Sequence, residues 1–473
     1  MLAPPRLIAP AISRLNSLPH AIPTGVAPMP RLNPLPRRQF LATNLAAGSA
    51  LLASSSSMAF AKEPASETGP LETFVPTRTI THGPKFHWFG YYDKQEFDPT
   101  GRFVLSNEVD FEGRSPNAED RIGVGYVDTA KNDQWIPLGT SQAWGWQQGC
   151  MLQFVGQDGK RVLWNDQDGD RFVCRIRDLE SGQTKTIDRP IYTISQDGRT
   201  GLSADFRRIN NLRPGYGYSG LADPHVDERA PEESGVWRVD LQTGRSELIL
   251  SLAQVAQLPW PDGDKHAEAW HYFNHLLINP SGTRFIVLHR YRPEFDPSTL
   301  QYKGGFVTRM LTANMDGSDL HVLDPSGYTS HFIWKGDDAV TMWTRPAGKP
   351  NGFYVFEDQT NLVRPVGGGK MPTNGHNTYL AGDYGDWILN DTYPSKSRRQ
   401  TVYLYHVPSD RRFDLGHFPS PKRYTGEWRC DTHPRCSPDG RTVAIDSPHA
   451  VDQNDGGRQV HLLDIGELLD ANS

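Results

Sequence analysis

Four histidines recur at one point of this chain: Asn274-His275, Ser330-His331, Gly375-His376 and Thr432-His433 each stand five to nine residues before a turn glycine. A lone histidine in such a place is ordinarily a packed core residue, but four in register are hard to explain that way. Imidazoles that converge are either ligands of a divalent metal or an acid–base cluster. The metal set expected from the sequence is His331, His376, His433 and Cys430, the last adding a thiolate three residues before His433. Upstream, Tyr192 precedes a hairpin turn and Arg207 and Arg208 follow it, so adjacent strands would bring phenol and guanidinium together. Gln147 and Gln148 put two amides beside Gly149, and residues 86–94 (FHWFGYYDK) are dense in aromatics.

These residue types suit one reaction in particular. Breaking a uronic acid polymer by β-elimination needs a cation on the carboxylate, a base for the C5 proton and an acid for the leaving oxygen. Arg208 is the expected carboxylate fork. Tyr192, beside a guanidinium, would have a lowered phenol pKa and serve as base, acid or both. His87 or His275 is the expected partner, with further charge stabilisation from a histidine-bound metal. Gln147, Gln148, Trp88 and Arg207 are the expected substrate contacts. Plainer alternatives stand beside each: Trp88 and Tyr91 as inward core residues, the glutamines as packing amides, the arginines as a solvated pair. The chain has no G-x-S-x-G, P-loop or H-E-x-x-H motif, and no carboxylates paired at a recurrent position as a glycosidase requires.

The elements that must position these groups are repeated hairpins. Residues 430–446 read as His, short strand, Ser-Pro-Asp-Gly turn and second strand, a hairpin signal because glycine accepts the positive φ of the turn. Related turns carry Gly101, Gly159, Gly198, Gly282, Gly336 and Gly385, with Gly440 closing the series. Units of roughly 40–50 residues with a fixed hairpin predict four-stranded propeller blades. The expected fold is all-β, a seven-bladed β-propeller over residues 74–473, cooperative because no blade buries both faces alone. In a propeller, equivalent positions of the innermost strands line one channel, which is why the four histidines should meet. The longest insertion, residues 219–270, holds an acidic loop and an amphipathic turn of helix near Leu248–Leu258 and is expected to form a rim.

Residues 1–61 hold five Arg and no Lys, Asp or Glu, and Arg37-Arg38-Gln-Phe-Leu is followed by an apolar run and by Ala59-Phe-Ala61. This reads as a twin-arginine signal peptide, with Met29 a candidate start and residues 62–73 a linker; the apolar run is too short and broken for a membrane anchor. The expected location is periplasmic or secreted. Without residues 1–61 the chain keeps 44 basic against 55 acidic residues, a net charge of −11 that argues against nucleic acid or membrane as partner. Counting glycine, about 46% of residues are apolar, enough for ordinary cores. The four cysteines, in an oxidising compartment, are open to pairing, to metal binding or to burial as thiols.

Residues 87–93 (HWFGYYD), 146–151 (WQQGCM), Ser330-His331, Gly375-His376 with 387–394 (WILNDTYP), and 432–440 (THPRCSPDG) resemble the seven-bladed propeller polysaccharide lyases of the oligogalacturonate and ulvan lyase group. The similarity spans nearly the whole chain after residue 61. It implies an exported lyase acting on a uronic acid-containing polysaccharide or oligosaccharide. The ulvan-type enzymes use a Tyr as base or acid and an Arg sixteen positions later on the uronate, the spacing of Tyr192 and Arg208; Gln147 and Gln148 stand nearest their His pair. The oligogalacturonate-type enzymes bind a divalent metal through His and Gln of the last blades. His376 and His433 match, while Cys430 and Arg435 replace an expected Gln and His, so the implied ion is zinc or manganese. Two other readings compete: a non-catalytic glycan- or protein-binding envelope propeller, and a hydrolase or epimerase giving saturated products.

Overall fold

The computed structural model describes residues 68–261, 263, 266–449 and 457–472. The signal-peptide reading of residues 1–61, and residues 62–67 of the linker, lie outside these. The described residues form seven antiparallel blade sheets in sequence order, six of four strands and the sixth of five, a seven-bladed β-propeller. The innermost strands are Phe86–Trp88, Gln153–Phe154, Thr193–Ile194, Trp270–Ile278, Phe332–Lys335, Thr378–Tyr379 and Arg435–Cys436.

Each expected turn lies between the first and second strands of a blade. Six of the seven glycines have the positive φ that only glycine adopts cheaply: Gly101, Gly159, Gly198, Gly282, Gly336 and Gly440. The sixth blade differs. There a 3₁₀ turn at Gly382–Tyr384 takes the positive φ at Gly382, and Gly385 is right-handed at φ −60°.

The first repeat does not simply begin at residue 74. Thr77–Thr79 pairs with Gln459–Asp464 and supplies the fourth strand of the seventh blade, while Glu72–Thr73 adds a fifth strand to the sixth by pairing with Arg411–Pro419. A ring of repeats must close or leave two open sheet edges, and borrowing strands from the far end of the chain covers them. Glu72 and Thr73, expected in the linker, are thereby part of the barrel of blades.

The blades bury both faces. All nine positions of Trp270–Ile278 and of Arg284–Arg292 are buried. Between the first two blades Trp88, Trp144, Trp146, Leu105, Val124 and Phe154 form one apolar cluster, so Trp88 belongs to the core and not to a sugar-binding wall. All four cysteines are free thiols. The long insertion carries the helix Leu252–Ala256, closed by a capping box between Ser251 and Gln254. The segment after the third blade's second strand is a helix, Phe206–Leu212, where a continued strand pair was expected. Asp205 accepts from the backbone N–H groups of Arg207 and Arg208 and starts the helix there. No helix among the described residues is long and apolar enough to cross a membrane.

Candidate active site

The four recurrent histidines do meet. His331, His376 and His433 each end the segment entering an innermost strand, and His275 lies within one, at a register shift between Asn274 and Leu276. His275 and His433 have φ of 55° and 40°, a region costly for a side-chain-bearing residue and typical of sites where a ring must be aimed. The His331 and His376 rings are 4.0 Å apart and those of His376 and His433 4.2 Å. His275 joins them through Tyr91, stacked at 4.8 Å, whose ring is 5.1 Å from His433.

Part of this ring is built like a metal site. The Nδ1 of His376 lies 3.0 Å from both oxygens of Asp391, which also accepts from the His376 backbone N–H and from the Thr432 hydroxyl. A carboxylate behind a histidine fixes its tautomer and points the other nitrogen at a metal. That nitrogen, Nε2 of His376, is buried without a partner, as is Nε2 of His433. One oxygen of Asp431 completes the group, with the three donor atoms within 4.8 Å of one another. Burial keeps His433 and His331 well below the ordinary imidazole value, hence neutral and able to donate a lone pair. The residues therefore fit a divalent cation, with Asp431 and not Cys430 as third donor. Burial pushes the Cys430 thiol up, and it stands outside the donor group. His331 packs against His376 with its ring tilted by 48° but ties Nδ1 to Asn374 at 2.9 Å.

Beside the histidines opens a cavity of about 270 Å³, lined by Tyr91, Arg213, Tyr216, His275, Arg290 and His331 among others, and, among the described residues, by no Asp or Glu. Arg213 makes no side-chain hydrogen bond or ion pair among the described residues, and its Nε is a buried donor without a partner. Arg290 donates from Nε to Thr308 at 3.1 Å and leaves Nη1 buried and unpaired. Both guanidiniums lie against the Phe306 ring, at 4.5 and 4.8 Å. Arg290 is buried and Arg213 half-buried, and open donors on such cations with no counter-charge beside them are costly unless an anion completes them.

Proton-transfer groups face the same space. Burial alone would raise the Tyr216 phenol, but Arg429, whose Nη2 donates to it at 2.7 Å, and Arg213 outweigh burial and hold it below its ordinary value. His275 is held well below its usual value by burial and then by Arg290. Its Nδ1 lies 3.3 Å from the Tyr192 hydroxyl and 3.4 Å from Gln148, and its Nε2 has no protein partner among the described residues.

The other expected site residues are distributed differently. Tyr192 supports His275 from behind: fully buried, its hydroxyl has one proton to share between Gln148 Oε1 and Asn274 Oδ1, each at 2.8 Å, and accepts the His275 backbone N–H at 2.9 Å. Burial pushes its phenol well above the ordinary value, opposite to the expected activation. Arg208 cannot fork a carboxylate, because its guanidinium is already spent on Asp223 and on the carbonyls of His271, His225, Glu228 and Arg229. Arg207 is forked onto Asp205 in a separate pocket. His87 lies in another, beside Trp135 and Glu108, and burial lowers it to about 4. Of the two amides, Gln148 reaches the site and Gln147 holds the carbonyls of Glu427 and Arg429. Arg213, Tyr216, Arg290 and Asp431 were missed. The sequence signal closest to finding them was the Tyr216-Gly-Tyr218 loop with Arg213 before it.

No family model matches the sequence, and no curated protein matches it. Among solved structures, the oligogalacturonate lyase of Vibrio parahaemolyticus is similar at 15% identity and a TM-score of 0.55, covering 84% of this chain and 97% of its own. An oligogalacturonate lyase in complex with manganese matches over the same shares at 15% identity and a TM-score of 0.57. The propeller domain of the Trilobed protease of Pyrococcus furiosus is also matched, at 11% identity and a TM-score of 0.44 over 80% and 96%. At these identities the likeness is one of fold.

Proposed function

We propose that this chain is a polysaccharide lyase that cleaves a uronic acid-containing glycan by β-elimination, exported to the periplasm or beyond by the twin-arginine signal of residues 1–61. The observation that carries this reading is the acid-free cavity in which Arg213 and Arg290 hold open donors next to His275 and Tyr216. An acidic chain that concentrates unpaired cations at one point selects for an anion there, over the roughly 8–10 Å within which solvent ions do not screen it.

In this reading Arg213 and Arg290 grip the uronate carboxylate and stabilise the negative charge that develops on it when C5 loses its proton. His275, neutral because burial and Arg290 disfavour its charge, accepts that proton at Nε2 while its Nδ1–H donates to the Tyr192 hydroxyl oxygen. The C5–H pair becomes the C4–C5 double bond, the C4–O bond breaks, and Tyr216 delivers a proton to the leaving oxygen. A phenol acidified by Arg429 gives up its proton more readily than a free one. A divalent ion, manganese or zinc, held by His376, Asp431 and His433 would supply further positive charge. The donor set of two imidazoles and a carboxylate removes the thiolate that favoured zinc.

The absence of any Asp or Glu from the cavity speaks against a hydrolase working with paired carboxylates. The test is ultraviolet absorbance of unsaturated products on a panel of uronate polymers with metal-loaded protein. A rise is expected with the wild type and none with Arg290→Ala. Glycan binding with no rise on any polymer would leave a binding propeller in place of an enzyme.

A further inference from the structure

At the mouth of the same cavity Tyr328 is 53% exposed, a large aromatic left in water beside a polar site. One face of its ring is covered by Arg345, whose guanidinium carbon lies 3.5 Å from the ring centroid. Arg345 is itself exposed and has no hydrogen bond or ion pair among the described residues. The loop that carries Tyr328 is fixed from below. Buried Asp324 accepts from the hydroxyls of Thr329 and Thr344, both at 2.5 Å, and from the Ser326 N–H and hydroxyl, and Ser326 in turn accepts the Tyr328 N–H. A backbone contact from Thr308 to Gly327 ties the loop to the strand next to Arg290. So much buried hydrogen bonding spent on holding an exposed ring still is preorganisation for a ligand, and packing gains nothing from it.

We infer that Tyr328 and Arg345 form an outer subsite that stacks a second acidic sugar ring and meets its carboxylate or sulfate, so that the preferred substrate is longer than the unit held in the cavity. This rests on the uronate reading of the inner site. A cavity of about 270 Å³ is at the small end of ligand pockets and suits one ring, whose neighbour must leave through the mouth. There it meets the open face of Tyr328, with Arg345 behind to answer its charge. Aromatic stacking beside a guanidinium is sequence-tolerant but charge-selective, which suits a polymer of acidic sugars better than a neutral one.

The experiment is a chain-length series of uronate oligosaccharides, with kcat and KM for wild type, Tyr328→Ala, Tyr328→Phe and Arg345→Ala, and calorimetric binding on the same series. The wild type should favour longer chains. Tyr328→Ala should shrink that preference about five- to tenfold, the loss falling on KM, Tyr328→Phe should restore it, and Arg345→Ala should shrink it for acidic chains. Turnover with an unaltered chain-length preference in both alanine variants overturns the outer subsite and spares the inner one. Binding that shows the length effect without turnover keeps the subsite and removes the lyase. Failure of the wild type to bind any acidic oligosaccharide overturns both.

Discussion

Two clusters of buried histidine lie on neighbouring parts of this propeller, and they differ in what their nitrogens have left to do. In the fourth blade Arg309 Nε donates to His289 Nδ1 at 3.0 Å, His289 Nε2 therefore donates to His271 Nδ1 at 2.8 Å, and His271 Nε2 donates to the His266 carbonyl at 3.0 Å. The chain is closed and every nitrogen of the pair is matched. Around the channel, Nε2 of His376 and of His433 is buried with no partner, and the backbone at His275 and His433 is held in a costly conformation. Burial is alike in both. What separates packing from chemistry here is the unfilled valence, since a buried polar atom left open costs free energy that only a ligand or a reaction returns.

The largest effect should come from closing the open cluster by mutation. His376→Ala and His433→Ala are each expected to strip the bound divalent metal, read by elemental analysis of purified protein, and to lower β-elimination at least about 100-fold. Asp391→Asn, which loosens the carboxylate behind His376, should weaken metal affinity by about 10–100-fold and leave the ligands in place. Metal retained in full by both alanine variants would make the channel histidines packing groups, and the contrast between the clusters would vanish.

The closed cluster should respond in stability alone. His289→Ala leaves the buried Arg309 Nε and His271 Nδ1 without partners and is expected to cost about 3 kcal/mol in chemical denaturation, with metal content unchanged. Acid should weaken this cluster as well. Burial holds His271 at about 4 against 6.5 when unfolded, so the unfolded chain binds the extra proton. Its contribution is present above pH 6.5 and is lost as pH falls toward 4. The wild-type midpoint should drop through that window, with a shallower slope in the variant, which has one neutral buried imidazole fewer. Equal slopes would show that the pair does not titrate with unfolding.

The blades were legible because their turns need glycine at positive φ, a demand that leaves its mark residue by residue, as at Gly101 and Gly440. The channel histidines were legible for the same reason, being fixed relative to those turns. What could not be read was the direction of side chains in irregular segments. Between Arg429 and His433 no strand alternation holds, so nothing local says that Asp431 faces the ring and Cys430 does not. Arg208 and Arg213 lie on one short helix and its C-cap, and the sequence gives them equal claims. The carbonyls of 225–229 consume the first, and the lack of any acid around the second leaves it open. That lack belongs to five blades meeting around the cavity, and no stretch of sequence carries it.

The two tyrosines give the finest test of this distinction, and the smallest expected effect. Tyr192 has its hydroxyl filled by Gln148, Asn274 and the His275 N–H, and Tyr216 has one partner, Arg429, and faces the cavity. If the open group does the chemistry, Tyr216→Phe should fall on kcat by about 10²–10⁴-fold, the usual worth of a positioned acid. Tyr192→Phe should cost only about tenfold. Asn274 also accepts the His275 N–H at 2.9 Å, so that donor stays satisfied, and what is lost is the contact at 3.3 Å that steadies the imidazole. Its pH–rate profile should keep the wild-type shape, because Tyr192 positions the base and transfers no proton. A larger loss in Tyr192→Phe than in Tyr216→Phe would reverse the two roles and return the proton transfer to the buried phenol.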